Sequence, residues 1–241
     1  MSATHATARD AVVLIPALDE AATIASVIAV ARAADVGPVV VVDDGSTDGT
    51  AEVAAAAGAE VIRLATNLGK GGALAAGAGA RGEALAVLLD ADLTGLRPKH
   101  VRALVEPVAA GSADMTRGVF ADGRWATTLA QRIVPVLNGQ RALRREGLLS
   151  VPGLAESRYG VEVAIADHAK GEGWTIVDVP LPGVSQVMKE EKRGFLRGLL
   201  IRLRMYAEIL WTYLRRTLSP RRPPTAAGLR EQAPRRSARR R

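Results

Sequence analysis

Short aliphatic runs alternate with stretches of helical periodicity over the first half of the chain. The runs predict strands at residues 11–15, 38–42, 60–64, 84–89 and 114–119. Between them, apolar residues recur every three or four positions and predict helices at residues 20–33, 48–57, 69–81 and 98–109. This alternation indicates an α/β fold with a Rossmann-like, mostly parallel, doubly wound sheet. Functional side chains are then expected beyond the carboxyl ends of the strands.

The pattern becomes looser after residue 120. It predicts helices at residues 125–137, 160–170 and 194–218, and a strand at residues 174–179. We therefore expect four parts: an N-terminal tail (1–10), one α/β domain (11–190), an amphipathic helical extension (191–218) and a disordered Arg/Pro-rich tail (219–241).

The 241 residues carry a net charge of +7, and this charge is unevenly distributed. Residues 1–188 hold 16 basic and 21 acidic side chains, whereas residues 189–241 hold 16 basic and four acidic ones. The predicted domain is therefore acidic. A nucleic-acid-binding tail is the non-enzymatic alternative, but it leaves the acidic motifs described below unexplained, so nucleic acid is not the expected partner. The absence of cysteine excludes a disulfide framework or a cysteine-zinc module and fits the cytoplasm.

The C-terminal extension predicts contact with a surface rather than passage through a membrane. Its most apolar stretch, residues 195–214, contains three Arg and one Glu, and each charge costs about 2.5–3.5 kcal/mol near a bilayer centre. A wide apolar face with Trp, Tyr and adjacent Arg is typical of a helix on anionic lipid. The alternative is a helix that packs on the domain or on a second copy in a homodimer. We expect a cytoplasmic protein, with residues 194–241 as the candidate contact with the inner face of the membrane.

The first acidic motif begins at the end of the second predicted strand. Residues 43–50 read Asp-Asp-Gly-Ser-Thr-Asp-Gly-Thr. A carboxylate at a strand end can accept hydrogen bonds from a nucleobase or a ribose. The alternative interpretation is turn chemistry, in which Ser46 and Asp48 cap the next helix.

The second acidic motif is Asp90-Ala91-Asp92, after the fourth predicted strand. Paired carboxylates are hard oxygen ligands that suit Mg²⁺ or Mn²⁺, and the metal in turn would hold a diphosphate. A polar strand end that binds no metal is the alternative.

A glycine-rich loop, residues 67–73, precedes the third predicted helix. Glycines would let the backbone approach a phosphate, and Lys70 and the helix N-terminus favour negative charge. The alternative is a glycine-rich start of a helix with no ligand. Residues 77–82 match a dinucleotide fingerprint literally, but they precede a strand and end a helix, so they do not predict a cofactor loop. The three histidines lie in no motif and are predicted at the surface: His5, His100 and His168.

Together with residues 15–20, these motifs resemble the GT-A glycosyltransferases, particularly family 2, over about residues 11–190. The resemblance implies a nucleotide-diphospho-sugar donor and Mg²⁺ or Mn²⁺ held by Asp90 and Asp92. The residues implied to bind the donor are Pro16, Ala17, Leu18, Glu20, Asp43, Gly45, Ser46, Gly69, Lys70, Asp90 and Ala91. The implied catalytic residues are Asp92, Gln140 and Glu162.

Two subgroups are similar in the later segments. Residues 138–142, 159–162 and 177–181 resemble glucosyl-3-phosphoglycerate synthases, whose metal-binding His after the last strand has no counterpart in residues 182–189. The short chain and basic C-terminal helix look more like polyprenyl-phosphate sugar transferases. Either resemblance implies a phosphate-bearing acceptor, for which Arg141, Lys189 and Arg193 are the candidate cations.

Sugar-nucleotide synthesis is the alternative enzyme class. It shares the donor chemistry but usually shows a glycine-rich loop with a basic residue after the first strand. That place reads Pro16-Ala17-Leu18-Asp19 here.

Overall fold

The computed structural model describes residues 7–120 and 139–186. Its strands are β1 (Ala11–Ala17), β2 (Val39–Asp43), β3 (Glu60–Arg63), β4 (Leu85–Leu88), β5 (Leu93–Thr94), β6 (Met115–Phe120), β7 (Arg141–Arg144), β8 (Ile176–Leu181) and β9 (Ser185–Gln186). Its α-helices are α1 (Ile24–Ala33), α2 (Thr50–Ala56), α3 (Gly69–Gly79), α4 (Pro98–Ala109), α5 (Arg145–Leu149) and α6 (Val161–Gly171). Two 3₁₀ segments are Ala8–Asp10 and Ala155–Gly160.

Seven strands form one sheet in the order β3-β2-β1-β4-β7-β6-β8. β1 to β4 run parallel, and β6 and β8 are parallel to each other. β7 is antiparallel to both of its neighbours, β4 and β6. The predicted mostly parallel α/β sheet is therefore confirmed. A separate two-stranded ribbon pairs β5 with β9.

Alternate side chains of β1 enter two different cores. Val13 and Ile15 pack with residues of α1 and α4, whereas Val12 and Leu14 pack with residues of α3 and α6. A strand that is covered on both faces needs apolar residues at every position, which explains the uninterrupted aliphatic run.

The structure corrects the sequence prediction at three places. β7 was not predicted, and neither was the ribbon of β5 and β9. His100 is not a surface residue: it is 3% exposed, and its Nδ1 accepts a hydrogen bond from the Arg97 amide at 3.2 Å. Burial, with smaller effects of Lys99 and Arg97, lowers the pKa of His100, so its imidazole is neutral at physiological pH.

The helix predicted at residues 125–137 and both C-terminal parts, 191–218 and 219–241, lie outside the described residues. Within the described ranges, every helix is too short or too polar to cross a membrane.

Candidate active site

The reversed direction of β7 brings its first residues to the carboxyl ends of the parallel strands. Arg141 pairs with Leu88, the last residue of β4. Gln140, one residue earlier, therefore reaches Asp90, and its Nε2 donates to Asp90 Oδ2 at 2.7 Å. Two motifs that are 50 residues apart in sequence thus meet at one edge of the sheet.

The loops after β1 and β2 are joined by hydrogen bonds. The Asp19 amide donates to Ser46 Oγ at 2.9 Å, and the Thr47 amide donates to Asp19 Oδ1 at 2.9 Å. The Glu20 amide donates to Thr50 Oγ1 at 2.8 Å. These bonds fix the two loops against each other before any ligand binds.

The predicted donor residues of segments 15–20 and 43–50 lie together on this loop pair. Ala17 is in register with Asp43, whose Oδ1 accepts a hydrogen bond from the Ser46 amide at 3.0 Å. The Glu20 and Asp43 side chains are both buried. The predicted capping of α2 by Ser46 and Asp48 is wrong: the N-cap residue is Gly49. Asp48 Oδ1 accepts from the Thr50 amide at 3.1 Å, and the Ser46 hydroxyl accepts from the Asp19 amide instead.

Asp44 occupies the N-terminus of α3, where the sequence predicts a phosphate. Its two carboxylate oxygens accept hydrogen bonds from the amides of Leu68 at 2.7 Å and Gly69 at 2.8 Å. Burial raises the pKa of Asp44, against the lowering effect of these two amides and of Arg158. A protein carboxylate therefore uses the helix-terminal donors that the sequence analysis assigned to the ligand.

The glycines at the start of α3 leave no room for side chains beside the neighbouring protein segments. A Cβ on Gly69 would lie 2.9 Å from Arg158 Cβ, and one on Gly71 would lie 2.2 Å from Ser157 Oγ. Gly72 has similarly little room, beside Leu68. The 3₁₀ segment Ala155–Gly160 thus rests directly on α3. Contact of Gly69 with the donor stays a prediction.

Lys70, the second residue of α3, joins two carboxylates. Its Nζ donates to Asp90 Oδ1 at 2.5 Å and to Glu162 Oε1 at 2.6 Å. Burial lowers the pKa of Lys70, but the charges of Asp90 and Glu162 outweigh this effect and raise the pKa above its ordinary value. Lys70 is therefore a permanent ammonium at this site.

Asp90 accepts hydrogen bonds from side chains of several segments. Besides Lys70 and Gln140, Gln186 Nε2 donates to Asp90 Oδ2 at 2.5 Å. Gln186 belongs to β9, which pairs with β5 directly after Asp92. The short ribbon thus folds the chain after β8 back onto the acidic motif.

Gly139 provides the space that this cluster needs. A Cβ on Gly139 would lie 2.5 Å from Lys70 Nζ and 2.6 Å from Asp90 Oδ1. Gly139 is itself buried. Any side chain at this position would separate the ammonium from the carboxylate.

Arg141 lies inside the protein, beneath the cluster. It is 1% exposed. Burial lowers its pKa to about 10, partly opposed by the negative charges of Glu162 and Asp90. The guanidinium is enclosed, so what the structure supports is an electrostatic influence on these two carboxylates, and its predicted contact with an acceptor stays a prediction.

The donor chemistry of the cluster fits a divalent cation. Asp90 already attracts an ammonium and two amide N–H groups, and Asp92 is a second carboxylate, 9% exposed, two residues later. In the part of the chain that the structure describes, no group of three or more His, Cys, Asp or Glu lies close enough together to hold a metal ion. Within the described ranges, protein ligands beyond Asp90 and Asp92 would therefore be of another type, such as amide oxygens.

Sequence reasoning missed three residues of the site: Asp44, Arg158 and Gln186. Asp44 lay within a recognised motif and was not selected. Gln186 is brought to Asp90 by a two-residue ribbon that leaves no periodic pattern in the sequence. The predicted acceptor cations Lys189 and Arg193 lie outside the described residues.

Residues 12–160 match the sequence profile of the family described as Glycosyl transferase family 2. This range is more than half of the chain and contains the loop pair, the glycine-rich start of α3 and the acidic motif after β4. The chain belongs to glycosyl transferase family 2. The family assignment agrees with the resemblance seen in the sequence.

Two family 2 relatives show how far the similarity extends. The glucosyl-3-phosphoglycerate synthase of Mycobacterium tuberculosis is 33% identical over 191 residues, which cover 64% of this chain. The chain spans 58% of the length of that synthase. An uncharacterised glycosyltransferase of the same organism is 31% identical over 216 residues, covering 80% of this chain and 95% of the relative.

The fold has a counterpart among solved structures. The Mycobacterium tuberculosis synthase in complex with Mn²⁺, UDP-glucose and phosphoglyceric acid superposes with a TM-score of 0.69 and 28% identity, covering 87% of this chain and 80% of that chain. The predicted GT-A fold is therefore confirmed.

Proposed function

We propose that this protein is a metal-dependent glycosyltransferase that moves a hexose from a UDP- or GDP-sugar to a phosphate-bearing acceptor. The acceptor is either a polyprenyl phosphate or a small acid similar to phosphoglycerate. The observation that carries the proposal is the cluster of Lys70, Asp90, Gln140 and Glu162 at the strand edge, beside the loop pair that contains Asp43.

The donor lies across this edge. Its nucleoside contacts the loop pair, where Glu20 and Asp43 offer buried carboxylates. Its diphosphate lies toward Asp90 and Asp92, which would hold Mg²⁺ or Mn²⁺. When bound, the metal would neutralise charge on the departing diphosphate.

The chain's own residues bind and orient the reactants. The ammonium of Lys70 stabilises negative charge beside Asp90 and remains protonated throughout, because its pKa is raised. Gln140 and Glu162 offer an amide and a carboxylate to the hydroxyl groups of the sugar or to the acceptor. Arg141 limits the negative charge of this acidic site from within.

With a polyprenyl phosphate as the acceptor, the attacking atom is a phosphate oxygen and a strong general base is unnecessary. The second pKa of a phosphate monoester is about 6, so this group is largely dianionic at neutral pH. A phosphate oxygen then forms the bond to the anomeric carbon while the bond from that carbon to the diphosphate oxygen breaks. The nucleoside diphosphate leaves with the bonding electron pair. The absence of histidine among the residues described around the cluster agrees with this chemistry.

The cations for the acceptor come from the segment after β9. Lys189 is three residues beyond Gln186, whose amide contacts Asp90. This short separation in sequence supports a role of Lys189 in acceptor binding, and Arg193 follows four residues later.

The named relatives support the substrate classes. The Mycobacterium tuberculosis synthase was crystallised with Mn²⁺, UDP-glucose and phosphoglyceric acid, and also with Mg²⁺ and UDP. The metal fits the carboxylates of Asp90 and Asp92.

The test is nucleotide release by the full-length chain, with a panel of UDP- and GDP-sugars, both acceptor classes, and Mg²⁺ or Mn²⁺. Asp92→Ala should reduce turnover at least about a hundredfold, because it removes a carboxylate from the predicted metal site. Asp167→Ala changes an exposed carboxylate on α6 and serves as the matched control.

The identity of the released group separates the enzyme classes. Glycosyl transfer releases a nucleoside diphosphate, whereas sugar-nucleotide synthesis releases pyrophosphate. Pyrophosphate release, or full turnover by the Asp92→Ala variant, would contradict the proposal.

The site of action is proposed to be the inner face of the cytoplasmic membrane, through residues 194–241. The full-length chain should then bind vesicles of anionic phosphatidylglycerol and not vesicles of phosphatidylcholine alone. Binding that is unchanged when Arg239, Arg240 and Arg241 are replaced by Gln and when salt is raised would count against this part of the proposal.

A further inference from the structure

Arg158 has a backbone conformation that L-amino acids rarely adopt. Its φ and ψ are 47° and −118°, inside the 3₁₀ segment Ala155–Gly160. In residues 7–120 and 139–186, the other non-glycine residues with positive φ are Asp19 and Asp35, whose short polar side chains tolerate such a conformation. A glycine would adopt the conformation of Arg158 at less cost. A non-glycine residue that keeps such a conformation indicates that its side chain has a structural or functional role.

The Arg158 side chain contacts the segment that leads into Lys70. Its Nη2 donates to Asn67 Oδ1 at 2.9 Å, and Asn67 Nδ2 donates to the Asp44 carbonyl oxygen at 3.3 Å. The positive charge of Arg158 also acts on the buried Asp44 carboxylate. That carboxylate in turn holds the amides of Leu68 and Gly69. The guanidinium is thus linked, directly and through Asp44, to the residues that immediately precede Lys70.

The Arg158 backbone lies against the same segment, at Gly69. The gap at Gly69 is so small that an added Cβ would lie 2.9 Å from Arg158 Cβ and 3.0 Å from Arg158 Cα. Four residues after Arg158, Glu162 binds the Lys70 ammonium at 2.6 Å. One turn of chain therefore determines the position of the loop before Lys70 and the start of the helix that carries its partner.

We propose that Arg158 is a positioning residue for the donor site. Its guanidinium holds residues 67–70 in the arrangement that receives the nucleoside diphosphate, and the strained backbone is retained because glycine would lose this contact. The inference rests on the proposed function, since it assumes that the site next to Lys70 binds a sugar nucleotide.

Two variants of the full-length chain separate the side chain from the backbone. Arg158→Gly removes the guanidinium and relieves the backbone strain, whereas Arg158→Ala removes the guanidinium and keeps the strain. We expect the Arg158→Gly variant to melt at or above the wild-type temperature, and Arg158→Ala to melt below Arg158→Gly. Both variants should bind UDP or GDP, each measured calorimetrically with Mn²⁺, about tenfold more weakly than the wild type.

Two further variants test the path through Asn67. Arg158→Lys keeps the charge and should recover part of the affinity. Asn67→Ala should weaken nucleotide binding, and combining it with Arg158→Ala should add little, because both changes break the same contact.

If Arg158 had a purely structural role, the Arg158→Gly variant would not lose nucleotide affinity while keeping or raising its melting temperature. Affinity that follows the melting temperature, with Arg158→Gly binding as tightly as the wild type, would overturn the inference and leave the proposed function intact. A wild-type chain that binds neither nucleotide would overturn both. Fully additive losses in the double variant would contradict the path through Asn67.

Discussion

Lys70 and Glu162 are 92 positions apart in the sequence, yet Lys70 Nζ donates to Glu162 Oε1 at 2.6 Å. The same ammonium reaches Asp90 at 2.5 Å, so one cation is shared by two carboxylates. Asp92 adds a further negative charge two residues from Asp90. The cluster therefore has a deficit of positive charge, which a divalent metal would fill.

Removing Lys70 should destabilise the fold. In Lys70→Ala, Asp90 and Glu162 lose their shared ammonium, and removing one partner of a largely buried pair costs about 3 kcal/mol. A raised pKa means that the stabilisation is complete below the ordinary value of 10.5 and is lost only as pH rises through the folded value. Urea denaturation should therefore show the same loss at about pH 6 and about pH 9. Adding Glu162→Gln should restore part of it, and a loss that disappears at pH 9 would contradict this account.

Gly139→Ala should damage the site more than the fold. The new methyl would lie 2.5 Å from Lys70 Nζ, so the ammonium has to move away from Asp90. We expect nucleotide affinity with Mn²⁺ to fall at least about tenfold, a change of about 1.4 kcal/mol. Gly79→Ala is the matched control, because no atom lies within 4 Å of its added Cβ at the end of α3. The control should raise stability by about 0.5 kcal/mol and leave affinity unchanged.

Asp44→Asn should change the pH dependence of stability in a defined direction. The raised pKa of Asp44 means that its contribution is most favourable below the ordinary value of 3.8 and declines as pH rises through the folded value. The melting temperature of the variant, relative to wild type, should therefore improve between pH 4 and about pH 7.

The control for this experiment is Glu83→Gln, because the pKa of Glu83 is shifted in the opposite direction from that of Asp44. A hydrogen bond from Arg81 lowers the pKa of Glu83, so its contribution is present at neutral pH and lost in acid. Relative to wild type, Glu83→Gln should become worse between pH 4 and about pH 7. Parallel trends in the two variants would be incompatible with the burial of Asp44 as the cause.

Arg141→Met should tighten the binding of Mn²⁺. The substitution removes a buried positive charge that acts on Glu162 and Asp90, and an apolar side chain of similar volume keeps the packing. We expect affinity to rise about three- to tenfold in an electron paramagnetic resonance titration without nucleotide. Arg117→Met is the control, because Asp178 already neutralises that guanidinium at 2.8 and 2.9 Å. Weaker Mn²⁺ binding in Arg141→Met would contradict the assigned electrostatic role.

The sheet was predictable where strands are uniformly aliphatic. β1 and β2 are buried on both faces, and such strands can be recognised without knowledge of their neighbours. β7 was missed because it reads Arg-Ala-Leu-Arg, only four residues with a charge at each end. The burial of Arg141 depends on residues from β4, β6 and α6, none of which is local in sequence.

The site was predictable as a set of strand ends but not as a network of contacts. The sequence placed Asp43, Lys70 and Asp90 at one edge, and the structure joins Lys70 to Asp90 directly. It could not distinguish a glycine that faces a phosphate from one that faces protein backbone, because both need the same empty space. The empty space at Gly69 and Gly71 is bounded by Arg158 and Ser157.

Because the loops after β1 and β2 are already joined, the two ends of the proposed donor would differ in the free-energy cost of binding. Asp19, Ser46 and Thr50 already have their hydrogen bonds, and ordering a loop residue costs about 1–2 kcal/mol. A nucleoside that binds there would contact loop residues whose conformational entropy was already lost during folding. The diphosphate end differs, since a metal there would have to share Asp90 with the Lys70 ammonium that already binds it. On the proposed placement of the donor, recognition of the base would be the rigid step, and accommodation of the metal and the phosphates would be the step that adjusts the protein's contacts.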